Sequence, residues 1–335
     1  MTYPYPLLKP PSFHWLRDPH VSEPKVHEWI QTLHPDEPID WSRYDVTILG
    51  VPLSRSSISA SCASENPDVM RAAWKFFNPY HLDYDVDFTA MQVVDLGDVR
   101  QHVTDIARSH QNIKEAMIQM RLSHPHALPI MLGGDHSVTA MLVKGWKESH
   151  LGERIGILQF DTHFDLRSLD DNGPTNGTPI RNLIDSGTVK GSNVWNIGLH
   201  GFYNARSLKE YADQMGVHYV TLNQARKQGI ASTVGTALAN LSREVDTIYL
   251  TVDMDVLDIG CAPGAPASTP GGMQTYELFD AVYETSLHKK VKAMDIVCLD
   301  PMKDVAGSTI KAGVHTMLTF LTGYYMRIHS SSASL

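Results

Sequence analysis

From Tyr44 onward, short runs of β-branched and other apolar residues alternate with longer segments in which apolar residues recur at helical spacing. This alternation is typical of βαβ units, in which apolar runs form buried parallel strands and the amphipathic segments form crossover helices. The pattern predicts eight strands, at 45–51, 91–97, 128–134, 154–161, 193–199, 217–222, 247–255 and 293–300.

The segments between these runs carry helix signals. Asn66 followed by Pro67 is typical of an N-cap with proline in the first helical turn. Apolar spacing predicts amphipathic helices over about 103–122, 274–287 and 309–326. We therefore expect an α/β fold, a three-layer sandwich with helices on both faces of an eight-stranded parallel sheet.

The chain divides unequally along its length. Residues 1–43 are rich in Pro, His and Trp and show no sustained period, so we expect an arm that lies over the body or over a neighbouring subunit. Residues 44–328 are expected to form one domain, because the alternation of strands and helices continues without a linker or a repeat.

Composition excludes several classes of protein. The chain has 335 residues and a formal net charge of −9, which makes it a poor generic ligand for nucleic acid or anionic membranes. It has no apolar run long enough to span a bilayer and no signal-peptide pattern at its start, so we expect a cytoplasmic protein. Its three scattered cysteines, without CxxC spacing, argue against a disulfide framework or a thiolate zinc site.

Polar motifs follow three of the predicted strands. They are Gly133-Gly134-Asp135-His136-Ser137, Asp161-Thr162-His163-Phe164-Asp165 and Asp253-Met254-Asp255. Side chains alternate along an extended segment, so Asp161, His163 and Asp165 share one face, as do Asp253 and Asp255. Taken singly, such a histidine is usually a surface or core residue and a DxD a turn or a cap. Three such groups after separate strands favour a common site.

Four aspartates at one edge of a sheet would repel one another unless cations were present. Two divalent ions would balance the four negative charges. Carboxylate oxygens with two imidazoles suit Mn²⁺, and Ni²⁺ is a second candidate. A pair of such ions lowers the pKa of a shared water and holds the resulting hydroxide against an electrophilic carbon, which is the design of a hydrolase.

Five motifs, GGDHS, DTHFDLR, NGTP, DMDVLD and APG…PGGM, occur in an order that resembles the ureohydrolase family of arginases, agmatinases and formimidoylglutamases. The resemblance covers about residues 44–325. It implies an arginase-like fold, a binuclear manganese or nickel centre, a small amidine or guanidine substrate and a homo-oligomer, either a trimer or a hexamer. From the net negative charge we expect no nucleic-acid or membrane partner.

The resemblance also assigns the metal ligands. It implies that one ion is held by His136, Asp161, Asp165 and Asp253, and the other by Asp161, His163, Asp253 and Asp255. Asp161 and Asp253 would bridge the two ions. Asp165 would also be catalytic, because in the family pattern this carboxylate orients the attacking hydroxide and helps proton transfer toward the leaving amine.

Two departures from the family pattern concern the substrate. Arginases and agmatinases carry histidine where this chain has Asn176 in its NGTP motif, and formimidoylglutamases typically have serine there. Cys298 replaces a glutamate that pairs with a guanidinium in arginase-like and agmatinase-like sequences, and a thiol cannot form that bidentate pair. Formimidoylglutamases commonly keep that glutamate too, so Cys298 departs from both patterns. Cys298 either contributes to the pocket or packs as a small buried hydrophobic residue.

The favoured substrate is N-formimidoyl-L-glutamate, hydrolysed to glutamate and formamide in histidine breakdown. The HFDLR run resembles the formimidoylglutamase pattern, and the two carboxylates of that substrate would need cations, for which Arg167, Arg181 and Arg206 are candidates. We expect the substrate contacts at Arg167, Asn176, Thr178 and Cys298. Two alternatives stay open: a guanidino-compound hydrolase that releases urea, and a non-catalytic partner subunit.

Overall fold

The computed structural model describes residues 6–9, 11, 23–33, 43–149 and 154–330. Over these residues the strands, numbered in chain order, are β1 Leu8–Lys9, β2 Gln31–Thr32, β3 Val46–Gly50, β4 Tyr80–His81, β5 Val86–Asp87, β6 Val93–Val99, β7 Leu128–Leu132, β8 Ile155–Phe160, β9 Val194–Leu199, β10 His218–Thr221, β11 Thr247–Asp253 and β12 Val291–Val297.

The central sheet has the order β6-β3-β7-β12-β11-β8-β9-β10, and every neighbouring pair in it is parallel. These are the eight strands that the sequence predicts, so the predicted parallel sheet is confirmed. At one edge β6 also pairs with β1, antiparallel, and with β2, parallel. A separate antiparallel pair joins β4 to β5.

Helices cover both faces of the sheet. In the described residues they are α1 Val26–Trp29, α2 Asn66–Ala73, α3 Ile106–Ser123, α4 Ser137–Glu148, α5 Leu169–Asn172, α6 Pro179–Asp185, α7 Arg206–Met215, α8 Leu222–Gln228, α9 Ile230–Glu244, α10 Thr275–Ser286 and α11 Ser308–Ser330. The 3₁₀ turns are Ala63–Glu65, Trp74–Phe76, Gly191–Asn193 and Met254–Val256. No helix of this part of the chain combines the length and apolar character needed to cross a bilayer.

Alternate residues of the strands belong to two separate hydrophobic cores, one on each face of the sheet. Ile48 of β3 belongs to a cluster with side chains of α2, α9, α10 and α11, whereas its neighbour Leu49 belongs to a cluster with α3, α4 and α6. The two-residue period of a strand produces this division, because successive side chains point to opposite faces. The predicted three-layer sandwich is therefore confirmed.

The predicted helix boundaries agree in part with those of the structure. Helices α10 and α11 match the predicted segments, but α3 begins at Ile106, and Val103 lies outside it, 83% exposed. Asn66 is not an N-cap, because a 3₁₀ turn precedes it and it already has helical backbone angles. Its side-chain amide instead donates to the carbonyl of Gly133 at 2.7 Å. Asn66 thus fastens α2 to the loop that carries His136.

The arm predicted over 1–43 falls partly outside the described residues. Of the described part, Leu8–Lys9 and Gln31–Thr32 pair with β6, and Val26 is buried in the core. The division of the chain at residue 44 stays a prediction.

Candidate metal centre

The six predicted ligands lie at the carboxyl ends of three parallel strands. His136 precedes α4 in the loop after β7, and Asp161, His163 and Asp165 follow β8. Asp253 ends β11, and Asp255 lies in the 3₁₀ turn that follows. Parallel strands end at the same edge of a sheet, and β8 and β11 are neighbours, so the fold brings these side chains together.

Three carboxylates converge on one imidazole nitrogen. Nδ1 of His136 lies 2.7 Å from Oδ2 of Asp165, 3.1 Å from Oδ2 of Asp253 and 3.2 Å from Oδ2 of Asp161. A neutral or protonated imidazole has at most one hydrogen on that nitrogen, so it cannot satisfy three carboxylates by hydrogen bonding.

A second group lies beside the first. Nδ1 of His163 is 3.0 Å from Oδ2 of Asp255 and 3.5 Å from Oδ1 of Asp161. Asp161 therefore faces the two groups with different oxygens, as a bridging ligand would. Asp253 lies close enough to contribute a ligand atom to the first group but not to the second. Its predicted bridging role therefore has less geometric support than that of Asp161.

The donor atoms of the first group fit a divalent cation. Nδ1 of His136 and Oδ2 of Asp165 are buried and have no hydrogen-bond partner among the described residues, although they lie 2.7 Å apart. Metal–ligand bonds of about 2.1 Å at right angles place neighbouring donor atoms about 3.0 Å apart. The observed spacing of 2.7 to 3.2 Å matches that arrangement.

Without a cation, the buried carboxylates repel one another and their pKa values change. Burial, together with repulsion from Asp161, raises the pKa of Asp165 to about 7. Burial and repulsion from Asp255 and Asp161 raise the pKa of Asp253 to about 6. Burial and repulsion from Asp161 and Asp165 raise the pKa of Asp255 to about 6. Although burial opposes it, the surrounding carboxylates raise the pKa of His136 well above its usual value. Divalent cations would remove this conflict by neutralising the carboxylates and binding both imidazoles in their neutral form.

Polar side chains outside the predicted set hold the β8 loop in place. The amide of Asn204 accepts from the backbone N–H of Phe164 at 2.9 Å and donates to the carbonyl of Thr162 at 2.8 Å. The amide of Asn196 donates to the carbonyl of His163 at 2.7 Å. Sequence reasoning missed both positioning roles, although a polar asparagine within the apolar run of β9 was the available signal for Asn196.

Two further contacts orient ligands directly. Nε2 of Gln159 donates to Oδ2 of Asp161 at 2.6 Å, and Nε2 of His136 lies 2.9 Å from the hydroxyl of Thr251. Asp165 has a φ of 54°, in the left-handed region that non-glycine residues rarely adopt. With this backbone conformation, Oδ2 of Asp165 lies 2.7 Å from Nδ1 of His136.

A cavity of about 110 Å³ opens onto the acidic cluster. Among the predicted substrate contacts, Arg167 and Asn176 line it, whereas Thr178 and Cys298 are buried and are not part of the lining. The hydroxyl of Thr178 closes a turn with the backbone of Thr175. The lining also includes Ile58, Ser59, Tyr203, Leu208 and Ala267.

The three candidate arginines have different surroundings. Arg181 forms an ion pair with Asp185 at 2.6 Å and stacks on the ring of Tyr211, and Arg206 forms an ion pair with Glu210 at 2.9 Å. Neither lines the cavity that contains the acidic cluster. Arg167 does, and its guanidinium has no carboxylate partner within the described residues.

Comparison with known proteins identifies the class. The arginase family model matches residues 44–323, and the chain belongs to that family. The prediction of an arginase-family hydrolase that acts on C–N bonds is therefore confirmed.

The relatives carry a more specific name. The formimidoylglutamase of Halalkalibacterium halodurans is 40% identical over 287 residues, which are 85% of this chain and 89% of that protein. The crystal structure of formimidoylglutamase from Bacillus subtilis has a TM-score of 0.85 and 35% identity, covering 92% of this chain and 96% of that one. The predicted likeness to formimidoylglutamase-like members is confirmed.

A more distant structure shows the same fold. Trypanosoma cruzi formiminoglutamase with Mn²⁺ has a TM-score of 0.81 at 19% identity, covering 91% of this chain and 99% of that one. Together with the His and Asp groups described above, the family membership supports the expected dependence on metal.

Proposed function

We propose that this chain is a formimidoylglutamase, which hydrolyses N-formimidoyl-L-glutamate to L-glutamate and formamide. One observation carries the proposal: a buried cluster of four aspartates and two histidines shares a single cavity with an arginine that has no ion-pair partner among the described residues. The identity of 40% to a protein named formimidoylglutamase supports it independently.

The cavity suits a substrate with negative charge at one end. Arg167 is exposed to the cavity, and a guanidinium binds a carboxylate through two parallel hydrogen bonds. A Cβ atom at Gly177 would come within 2.8 Å of Cδ of Arg167, so glycine at this position allows the arginine to cross the loop. We infer that Arg167 binds a carboxylate of the glutamate moiety.

Asn176 supplies a second polar contact. Its Oδ1 accepts from the backbone N–H of Ile58 at 2.9 Å, which orients the amide and leaves its NH₂ group available to the cavity. An amide NH₂ donates hydrogen bonds, so it suits a carboxylate better than a guanidinium cation. The two loops that carry Ile58 and Asn176 are thereby joined at the cavity wall.

Cys298 disfavours a guanidinium substrate. The thiol is buried and has a φ of 62°, and its backbone N–H donates to the carbonyl of Gly134 at 2.8 Å. Burial, together with the charges of Asp253 and Asp255, raises the pKa of this thiol well above its ordinary value, so it stays neutral. A neutral thiol that does not line the cavity cannot pair with a guanidinium.

We infer that the six side chains hold two divalent cations, Mn²⁺ in preference to Ni²⁺, with His136, Asp165 and Asp253 on one and His163 and Asp255 on the other. Asp161 would serve both. When bound, such cations lower the pKa of water and stabilise negative charge that develops at an amidine carbon.

The protein itself would supply orientation and proton transfer. Asp165 lines the cavity, and with its Oδ2 on a cation beside His136, its second carboxylate oxygen would accept a proton and deliver it to the departing amine. Arg167 would hold the glutamate end, which places the amidine over the acidic cluster. We further propose a homo-oligomer, a trimer or a hexamer, on the strength of the family resemblance.

A product assay tests the proposal. Protein reconstituted with Mn²⁺ or Ni²⁺ is given formimidoylglutamate, agmatine, guanidinobutyrate, arginine and guanidine in parallel, and formamide and urea are quantified. We expect formamide from formimidoylglutamate and no urea from the guanidino compounds. Urea from any of them, without formamide, would contradict the proposal and favour a guanidino-compound hydrolase. Metal-loaded protein without turnover on any compound would favour a non-catalytic subunit.

A further inference from the structure

A buried network of hydroxyl groups lies on the Nε2 side of the His136 ring. Its centre is Asp295, a carboxylate within β12 that has no exposed surface. Asp295 is paired in register with Thr251 of the neighbouring strand β11. Because a buried carboxylate is costly unless hydrogen-bond donors surround it, the groups that donate to Asp295 determine what it can do.

Three hydroxyl groups converge on the Asp295 carboxylate. The hydroxyl of Thr139, in α4, donates to Oδ2 of Asp295 at 2.7 Å, and that of Tyr249, in β11, donates to the same oxygen at 2.8 Å. Burial raises the pKa of Asp295, whereas the charge of His136 and a hydrogen bond from Thr251 act to lower it. All three hydroxyl-bearing side chains are fully buried, so they donate to the carboxylate and not to bulk water.

Thr251 links this carboxylate to a predicted metal ligand. Its Oγ1 lies 2.9 Å from Nε2 of His136 and 3.5 Å from Oγ1 of Thr139. A hydroxyl group has one hydrogen to donate and can accept two hydrogen bonds. Because Thr251 donates its hydrogen toward Asp295, its oxygen has to accept the hydrogen bond from Nε2 of His136.

The direction of this hydrogen bond determines which nitrogen of His136 can bind a cation. A neutral imidazole carries one hydrogen, so a hydrogen on Nε2 leaves a lone pair on Nδ1. Nδ1 is the atom that lies 2.7 to 3.2 Å from the carboxylates of Asp161, Asp165 and Asp253. The opposite tautomer would place its hydrogen on Nδ1, where it would exclude the cation.

We propose that Asp295 is a positioning residue for the metal centre, which acts through Thr251 to hold His136 with Nε2 as a hydrogen-bond donor and Nδ1 as the ligand atom. This role rests on the proposed function of His136 as a metal ligand. Partners of this kind fix the ring orientation and the tautomer of a metal-binding histidine. Neither Asp295 nor Thr251 lines the cavity of the acidic cluster, so they act on metal binding and not on substrate contact.

Titration of the full-length, metal-free protein with Mn²⁺ and, separately, with Ni²⁺ tests the proposal. Isothermal calorimetry measures the affinity, and electron paramagnetic resonance of the Mn²⁺ samples distinguishes a coupled pair of ions from a single ion. Thr251→Val removes the hydroxyl at nearly constant side-chain volume, so Nε2 of His136 loses its acceptor. Binding of one of the two ions should weaken by about 10- to 100-fold. The ion assigned to His163 and Asp255 should be affected less.

Three further variants separate the hydroxyl from its surroundings. Thr251→Ser keeps the hydroxyl and should restore the affinity. Asp295→Asn replaces one acceptor oxygen with an NH₂ donor, which can reverse the hydrogen bond between Thr251 and His136, so the affinity should decrease by about tenfold. This variant keeps the test valid if Thr251→Val prevents folding. Thr316→Val is the matched control and should leave the affinity unchanged, because the buried hydroxyl of Thr316 donates to the carbonyl of Ala312 within α11.

Several results would overturn the positioning role. If Thr251→Val binds both ions as tightly as the unchanged protein, even with a lower unfolding temperature, the network stabilises the fold alone and the proposed function is unaffected. A loss of affinity in Thr251→Ser or Thr316→Val as large as that in Thr251→Val would show that the hydroxyl of Thr251 is not the cause. If the unchanged protein binds neither Mn²⁺ nor Ni²⁺ saturably, the metal centre is overturned and the positioning role with it.

Discussion

The acidic cluster and the cluster around Arg71 hold buried aspartates in different ways. At the carboxyl ends of the strands, four aspartates converge on two histidines. Around Arg71, buried aspartates face a buried guanidinium. Burial removes the water that would screen like charges, so the first arrangement is costly when isolated. The difference between the two clusters is the source of the positive charge.

The cluster around Arg71 balances its buried charge internally. The buried guanidinium of Arg71 contacts Asp95 at 2.7 Å and Asp98 at 2.6 Å, and Lys9 lies 3.8 Å from Asp98. Two cations therefore face two buried carboxylates, and the more exposed Asp68 lies 3.6 Å from Arg71. Where the fold supplies its own counter-charges, as here, no ligand is required. Where it does not, as at the acidic cluster, an external cation is expected.

The largest expected effect is at the acidic cluster. Asp161→Ala removes the carboxylate that faces both groups, so the variant should lose both metal ions and at least about 10³-fold in kcat/KM, equivalent to ~4 kcal/mol of activation free energy. Elemental analysis and formamide release measure the two losses. Asp246→Ala, at an exposed ion pair with Arg154, is the control. Retention of two metals by Asp161→Ala would contradict the ligand assignment.

Substitution of the balanced cluster should affect stability and not metal content. Arg71→Met leaves Asp95 and Asp98 buried with only Lys9 nearby, which should lower the free energy of unfolding by about 3–5 kcal/mol. Urea denaturation measures this change. Arg154→Met, which breaks an exposed pair, should cost less than about 1 kcal/mol. Equal decreases in the free energy of unfolding of the two variants would show that burial does not determine the effect of breaking an ion pair.

Removal of the cavity arginine should change substrate binding more than turnover. Arg167→Gln should raise KM for formimidoylglutamate by about 10- to 100-fold, because a charge-assisted hydrogen bond contributes roughly 1.5–3 kcal/mol. The decrease in kcat should be smaller. Arg181→Gln, whose arginine pairs with Asp185, is the matched control. An unchanged KM in Arg167→Gln would exclude this arginine as the carboxylate contact.

The dependence of stability on pH should differ between metal-free and metal-loaded protein. Without metal, the folded state raises the pKa of Asp165 to about 7 and those of Asp253 and Asp255 to about 6, so it binds more protons than the unfolded chain between about pH 4 and 7. Its stability therefore decreases as pH rises through that range. Metal replaces those protons and reverses the loss.

We accordingly expect the increase in Tm on addition of Mn²⁺ to be greater at pH 8 than at pH 5.5, by at least about 5 °C. Differential scanning calorimetry of the two forms measures it. Asp161→Ala provides the comparison, because it should show little increase at either pH. A greater increase at pH 5.5 than at pH 8 would contradict the electrostatic account.

Sequence reasoning predicted the sheet and the convergence of the acidic motifs for a physical reason. Buried parallel strands are apolar over their whole length, and Asp161 and Asp253 mark the points where such runs end. Once the strands are parallel, the motifs must meet at one edge. The predicted N-cap at Asn66 was wrong because the preceding 3₁₀ turn could not be recognised from local spacing.

The substrate contacts were harder to predict. The pairing of Arg181 with Asp185 and of Arg206 with Glu210 follows the i,i+4 spacing of a helix. Asp171 stands at the same spacing from Arg167, so spacing alone did not set Arg167 apart. Arg167 precedes α5 and does not share a helix with Asp171, a boundary that local spacing could not supply.

A titration of metal-free protein with Mn²⁺ tests the central claim most directly, with bound metal per chain and formamide release from formimidoylglutamate followed in the same samples. The account predicts saturation at two ions per chain, with activity that rises as the sites fill. Full activity without metal, or no saturable binding of Mn²⁺ or Ni²⁺, would contradict it.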